Sequence, residues 1–199
     1  MNPSERHRFD ALVLPHLDAA YNLARWLCGS TSDADDVVQE AFLRAFRLFA
    51  SFRGERPRPW LLAIVRNTWF TMHQQRKSAA ETGYDDSAPD AVLPEWHGMP
   101  EDPEQALLRE EDARLVHTAL ERLPVAFREV IVLRELEDLH YRDIARIVDI
   151  PAGTVMSRLA RGRKMLAAEI VVLRETPAAL SAALSKAQRS IGETGHELQ

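Results

Sequence analysis

The sequence is poor in the residues that build disulfide frameworks and metal sites. Its 199 residues include one cysteine, Cys28, and seven histidines that are scattered along the chain. A single cysteine excludes an internal disulfide framework and is typical of a reducing compartment. No cysteine and histidine set has the spacing of metal ligands. We therefore predict a cytoplasmic protein with no cofactor and no metal site.

Long apolar runs are also absent. No stretch of about 18 apolar residues occurs, so no transmembrane helix is expected. The segment Met1–Asp10 is polar and charged and lacks the apolar part of a secretion signal. Hydrophobic residues nevertheless make up 46% of the chain, which is enough to build helical cores. We expect no membrane insertion.

The formal net charge of −5 hides an uneven distribution. Residues 81–110 hold nine acidic side chains against one arginine, whereas residues 1–80 hold eleven basic side chains against eight acidic ones. Because local patches rather than the total charge select partners, the acidic total does not exclude nucleic acid. The pattern indicates a neutral-to-basic body that carries one acidic connector.

Hydrophobic periodicity predicts helices throughout and strands nowhere. The predicted helices cover residues 9–28, 32–49 with Ser32 as the N-cap, 60–77, 104–122, 124–137, 141–148, 154–172 and 178–190. Four prolines and many acids between residues 78 and 104 indicate a flexible linker. The predicted fold is all-α, with two small helical domains (1–78 and 111–173), an acidic proline-containing linker (79–110) and a C-terminal tail of unknown role (174–199).

A helix-turn-helix is the clearest local motif. Tyr141, Ile144 and Val148 have the spacing of a supporting helix, and a tight connection leads to Thr154, which is predicted to cap the next helix. That helix presents a polar, cationic face: Thr154, Ser157, Arg158, Arg161, Arg163 and Lys164. Arginine pairs bidentately with guanine edges in the major groove, and both arginine and lysine neutralise backbone phosphates. A solvated basic stripe on an ordinary bundle is the alternative, which the short turn and the capping threonine disfavour.

Two polar surfaces in the N-terminal half are less distinctive. The loop before the helix at 60–77 places three arginines beside Phe52, a combination that suits single-stranded nucleic acid. On the residues alone, a cationic surface loop beside core tryptophans is the commoner interpretation. The second helix carries a charged face, which is equally typical of the outer side of an amphipathic helix. Its members are Asp35, Asp36, Gln39, Glu40 and Arg44.

Several motifs together resemble the bacterial sigma factors. The segments 120–134, 141–145 and 153–163 resemble region four of that family, and the segments 33–44 and 60–67 resemble region two. A chain with only these two domains and a short linker is similar to the extracytoplasmic-function (ECF) subfamily. The resemblance covers about residues 9–77 and 111–170.

The resemblance implies a function and a set of sites. An ECF sigma factor binds core RNA polymerase and directs promoter recognition, promoter opening and transcription initiation, without catalysis of its own. The charged face of the second helix would contact the β′ clamp helices, and the start of region four the β-flap. An anti-sigma protein is the family's usual regulator. The minus-35 element would be read by the helix-turn-helix face, and the minus-10 element by Phe52, Arg53, Arg56, Arg58, Asn67, His73, Gln74, Arg76 and Lys77.

The sequence departs from the family pattern in a few places. Met156 stands where many members carry a basic residue, which puts one phosphate contact in doubt. Asp143 replaces a commoner glutamate and is expected to be harmless. The family's linker threads the polymerase cleft, where an acidic linker would mimic a nucleic-acid backbone.

Two other classes of function remain as alternatives. A stand-alone helix-turn-helix regulator with an N-terminal sensing or interaction domain would need a dimer to span two half-sites. The sequence shows neither a heptad seam nor a ligand-pocket signature for it. An enzyme is the other alternative, and the chain offers no nucleophile–base pair, phosphate loop or metal motif.

Overall fold

The part of the chain that is described consists of helices joined by short turns. A computed structural model describes residues 3–54, 56–80 and 103–193, with side chains in 3–54, 56–78 and 112–175. Its helices are α1 (Pro3–Val13), α2 (Leu17–Cys28), α3 (Thr31–Leu48), α4 (Pro57–Ala80), α5 (Pro103–Arg122), α6 (Val125–Ile131), α7 (Tyr141–Val148) and α8 (Ala152–Glu193). The all-α prediction is confirmed. Most of the predicted linker, residues 81–102, lies outside the described residues.

The chain forms two compact units. The first contains α1–α4, α6, α7 and the beginning of α8 as far as Gly162. The second contains α5 and the remainder of α8, where Arg122 pairs with Glu169 at 3.5 Å and Arg174 with Asp112 at 3.0 Å. The first unit holds almost all of the predicted site residues.

The N-terminal boundaries differ from the predicted ones for local reasons. The predicted helix 9–28 is two helices, because Pro15 lies in a single 3₁₀ turn at Leu14–His16 between α1 and α2. The predicted cap at Ser32 is wrong. Ser30 is the N-cap of α3, and its hydroxyl accepts a hydrogen bond from the Asp33 backbone N–H at 3.2 Å. The left-handed Gly29 ends α2 just before Ser30, so the cap falls two residues earlier than expected.

Four further boundaries are corrected. Helix α4 begins at Pro57 rather than Trp60, because proline is tolerated in a first turn, where its missing N–H has no partner. Thr154 is not an N-cap, since α8 begins at Ala152 and the Thr154 backbone N–H donates to the Pro151 carbonyl at 2.9 Å. Helix α6 ends at Ile131 and is followed by a wider turn at Val132–Leu136. Helix α8 runs unbroken through 178–190, where a separate short helix was predicted.

Aromatic rings fix the loop that leads into α4. The Phe49 ring is 2% exposed and lies 5.2 Å from Phe9 and 6.0 Å from Phe52, centroid to centroid. Phe52 in turn lies 4.7 Å from Trp60 at the start of α4. Burying each ring stabilises the fold by about 1.5–3 kcal/mol. The packing of these rings in the core therefore holds the backbone of the loop in place.

The helix-turn-helix packs against the N-terminal helices within the first unit. Helix α7 lies on α4, and α6 lies on α2. Asp149 adopts a left-handed conformation (φ 56°) that ends α7, and α8 starts three residues later. The apolar side chains under this motif are buried: Val130, Leu133, Ile144, Ile147, Val155 and Leu159. The predicted core face of α7 is largely confirmed, because Ile144 and Val148 are buried, although Tyr141 is 36% exposed.

Two glycines are predicted to respond oppositely to alanine. Gly29 has φ 78°, so Gly29→Ala forces a side chain into the left-handed region and lowers the free energy of unfolding by about 1 kcal/mol. Gly153 lies in the first turn of α8, and nothing lies within 4 Å of an added Cβ. Because alanine favours a helix more than glycine does, Gly153→Ala should raise the free energy of unfolding by about 0.5–1 kcal/mol. Urea unfolding followed by circular dichroism measures both. Equal shifts of the same sign would contradict the backbone argument.

Candidate nucleic-acid interface

The first turns of α8 carry the predicted duplex-reading face. Most of its side chains are exposed: Ser157, Arg161, Arg163 and Lys164, with Thr154 half-buried. The Ser157 hydroxyl donates to the Thr154 carbonyl at 3.0 Å, a contact within the helix. Met156 is 50% exposed on the same segment. Since Val155 and Leu159 are buried beneath, the helix presents one cationic face outward.

Arg158 is held by an acid. Its guanidinium lies 3.4 Å from Glu129, whose side chain is 3% exposed. The other carboxylate oxygen of Glu129 accepts a hydrogen bond from Arg66 of α4 at 2.8 Å. Glu129 therefore joins α8 to α4.

The loop before α4 combines an exposed arginine with a buried ring. Phe52 is 4% exposed and belongs to the aromatic cluster under the loop, so it supports the backbone in this arrangement. Arg53 is exposed and donates to the Ala50 carbonyl at 2.9 Å. A cleft of about 550 Å³ opens beside these residues, and Trp60 and Arg146 also line it. Its walls thus pair aromatic rings with arginines.

The other two loop arginines are engaged by buried acids of the helix-turn-helix. Arg56 makes two contacts to Asp143 of α7: Nη1 to Oδ1 at 2.8 Å and Nη2 to Oδ2 at 2.7 Å. Arg58 pairs with Glu137, whose side chain is 4% exposed. Both arginines were predicted to contact DNA, and the structure places them against carboxylates of the same chain.

The far end of α4 exposes the remaining predicted minus-10 residues: Asn67, His73, Gln74, Arg76 and Lys77. The His73 ring stacks on Trp69 with centroids 5.1 Å apart. Burial, Lys77 and Arg76 lower the pKa of His73, so the imidazole is neutral at pH 7. Its stacking with Trp69 therefore does not depend on a positive charge.

The charged face of α3 is accessible along most of its length. Asp35, Asp36 and Gln39 are exposed, while Glu40 and Arg44 form an i, i+4 ion pair at 2.7 Å. Leu43, three and four residues after Glu40 and Gln39, is 53% exposed on the same side of the helix. The surface is therefore available to a protein partner.

Arg76 connects the α3 face to the end of α4. Its guanidinium contacts Asp33 at 2.6 Å and Asp36 at 3.8 Å. The hydrogen bond to Asp33 raises the pKa of Arg76. A residue predicted to bind DNA thus neutralises part of the surface predicted to bind protein.

Four residues of this region were missed or undervalued by the sequence analysis. Arg66, Glu129 and Glu137 were not singled out, and Asp143 was considered a harmless replacement. Asp143 is 1% exposed and makes the two-pronged contact with Arg56. For Glu129 a signal was available: the acid is followed by Val130 and Ile131, and Val125 and Val132 lie one turn away on either side.

Two negative findings apply to the described part of the chain. Among its side chains, no group of three histidine, cysteine, aspartate or glutamate residues could hold a metal ion. Within the same residues, no helix combines the length and the apolar character needed to cross a membrane.

The fold and the site define a helical nucleic-acid-binding protein, and comparison with known proteins identifies its family. The family model described as Sigma-70 region 2 matches residues 12–79, and that described as Sigma-70, region 4 matches residues 113–166. The chain belongs to the sigma-70 family and is an ECF sigma factor.

Individual relatives support the assignment. The chain is 36% identical to the RNA polymerase sigma-H factor of Pseudomonas aeruginosa, over 81% of this chain and 86% of that protein. It is 38% identical to the ECF RNA polymerase sigma-E factor of Haemophilus influenzae, over 69% and 74%. Among solved structures it resembles the sigma factor RpoE, co-crystallised with the anti-sigma factor NepR from Bartonella quintana. The TM-score is 0.67 at 26% identity, over 83% of this chain and 98% of that one.

The family membership confirms the main functional prediction. As an ECF sigma factor, the chain binds core RNA polymerase and directs promoter recognition and transcription initiation. The alternative of a stand-alone regulator receives no support from these comparisons.

The contact between Arg158 and Glu129 predicts a difference between two arginines of one helix. Arg158→Ala should lower the free energy of unfolding by about 1 kcal/mol, because the buried Glu129 loses one of its two cations. Arg161→Ala should change the free energy of unfolding by no more than about 0.5 kcal/mol, since Arg161 is exposed. Urea titration of both variants gives the comparison. Identical unfolding midpoints would show that the contact between Arg158 and Glu129 does not contribute to stability.

Proposed function

We propose that the exposed face of α8 reads the minus-35 element as duplex DNA. One observation carries the proposal: polar and cationic side chains share one side of a helix whose other side is buried against the helix-turn-helix core. The base- and phosphate-contacting residues would be Thr154, Ser157, Arg158, Arg161, Arg163 and Lys164. In this assignment residues 111–173 act as region four, and their beginning meets the polymerase β-flap.

The minus-10 element is assigned to the loop before α4 and to α4 itself. Exposed Arg53 beside a cleft lined by aromatic and cationic side chains supports the assignment, because bases stack on rings and phosphates pair with arginine. Arg56, Arg58, Asn67, His73, Gln74, Arg76 and Lys77 would complete the surface, with Phe52 as its support or as a stacking partner after rearrangement. Residues 1–78 then act as region two, and residues 79–110 as the linker.

The charged face of α3 is assigned to the β′ clamp helices. Its exposure suits a protein contact: its charges are of the kind that change association rates, and the exposed Leu43 beside them offers apolar area. The contacting residues would be Asp35, Asp36, Gln39, Glu40 and Arg44.

The remaining assignments follow from the family. The chain would supply recognition rather than catalysis, with no cofactor of its own, and would act in the cytoplasm because RNA polymerase is its partner. The solved relative from Bartonella quintana was crystallised with an anti-sigma factor. We propose that a protein of that class controls this chain as well.

Charge reversal on α3 tests the polymerase contact. Asp35 is the sharpest choice, because Asp36 lies 3.8 Å from Arg76 and its replacement would disturb that residue too. Asp35→Arg should weaken binding to core RNA polymerase at least about tenfold, since like charges across an interface cost over 1 kcal/mol. Asp10→Arg, an exposed reversal on α1, is the matched control. Fluorescence anisotropy with core enzyme measures both, and equal affinities would refute the assignment.

Truncating a loop arginine tests the minus-10 assignment. Arg53→Ala should reduce promoter opening by the assembled holoenzyme about 3- to 10-fold, because one arginine–DNA contact is worth on the order of 1 kcal/mol. Permanganate reactivity of unpaired thymines reports opening directly. Arg47→Ala removes an exposed arginine from α3 and should open the promoter normally. Normal opening by both variants would remove Arg53 from the DNA surface.

A further inference from the structure

We infer that the free sigma factor masks its own minus-10 surface by an ion-pair clasp. The clasp consists of three pairs: Arg56 with Asp143, Arg58 with Glu137 and Arg66 with Glu129. Each pair joins the loop or α4 to α6, to α7 or to the turn between them, and the partners are 63 to 87 positions apart in sequence. The inference rests on the proposed role of Arg56 and Arg58 in DNA binding.

The pair between Arg56 and Asp143 uses the same edge of the guanidinium that arginine presents to phosphate. Nη1 donates a hydrogen bond to Oδ1 at 2.8 Å, and Nη2 lies 2.7 Å from Oδ2 as an ion-pair contact outside hydrogen-bond geometry. A DNA phosphate would present two oxygens to the same planar fork. Because the fork cannot serve both anions at once in this way, Asp143 and a promoter phosphate are competitors.

Burial is asymmetric across the clasp. The side chains of Glu129, Glu137 and Asp143 are 2–4% exposed, whereas those of Arg56 and Arg58 are 54% and 34% exposed. A buried carboxylate without a cation is strongly disfavoured, so the acids hold the arginines as long as the two surfaces stay together. When the surfaces separate, water rehydrates the acids and the arginines become available to DNA.

The helix-turn-helix is connected to the clasp through Glu129. Glu129 holds Arg66 through one oxygen and Arg158 through the other. Separation of α4 from α6 therefore leaves Arg158 as the remaining partner of Glu129. One carboxylate links the arrangement of the duplex-reading helix to the state of the minus-10 surface.

The ionic strength of the solution should control the clasp. Partly exposed ion pairs are screened by salt, and removing two of them shifts a closed-to-open equilibrium by about 3- to 30-fold. Binding of core polymerase, which must accommodate separated DNA elements, would draw the chain toward the open state. The clasp is thus weak enough to be opened by a partner and strong enough to lower DNA binding by the free chain.

The test neutralises two acids without changing their shape. The variant Glu137→Gln with Asp143→Asn removes both charges opposite the loop, and Asp138→Asn is the control, because Asp138 is adjacent but its side chain is 93% exposed. Labels at Asp10→Cys and Ala160→Cys, in a Cys28→Ser background, report the distance between α1 and α8 by double electron–electron resonance. Anisotropy with a single-stranded minus-10 oligonucleotide measures DNA binding by the free chain.

The expected result is a broader and longer distance distribution and about 3- to 30-fold tighter oligonucleotide binding for the double variant, with Asp138→Asn unchanged. Raising the salt concentration should lengthen the distances in the unaltered chain, which keeps the test decisive if the double variant folds poorly. Unchanged distances in both experiments would overturn the clasp. Longer distances with unchanged DNA binding would overturn the masking, and the Arg53→Ala holoenzyme experiment then shows separately whether the minus-10 assignment itself survives.

Discussion

The arrangement of the first unit depends on three carboxylates that are buried and need cations. Glu129, Glu137 and Asp143 are each less than 5% exposed, and each meets an arginine from the loop or from α4. A buried acid without such a partner would cost several kcal/mol, so the apolar contacts of α7 with α4 and the ion pairs around them must form together. The position of the helix-turn-helix on the N-terminal helices follows from this requirement.

The same arginines are suited both to the protein's own buried carboxylates and to DNA phosphates. A guanidinium that satisfies a buried carboxylate is also suited to a phosphate, because both anions offer paired oxygens. In the proposed function the chain reads DNA as part of the holoenzyme, so weak DNA binding by the free chain is no disadvantage. The pairing of Arg76 with Asp33 and Asp36 repeats the pattern at the face that we assign to polymerase. Under this proposal, internal acids occupy the cations that DNA would otherwise recruit.

Local patterns predicted the helices and the outward faces well, since the 3.6-residue period reports which side of a helix is buried. Motifs such as Trp60–Asn67 and Gly153–Arg163 were sufficient for the family. The cap of α3 was misplaced because both Ser30 and Ser32 can cap, and only the left-handed Gly29 decides between them. The pairs of the clasp were beyond prediction, since a partner 87 positions away leaves no trace in local spacing. For the individual DNA- and polymerase-contacting residues, the sequence-based assignments stay predictions.

Nuclease footprinting of one promoter should separate the free chain from the holoenzyme. A polymerase-borne promoter reader whose arginines are engaged internally when it is alone should protect both the minus-35 and the minus-10 elements as holoenzyme. At the same concentration the free chain should give no specific protection. Equal, specific protection of the promoter by the free chain, with core polymerase adding nothing, would contradict this prediction.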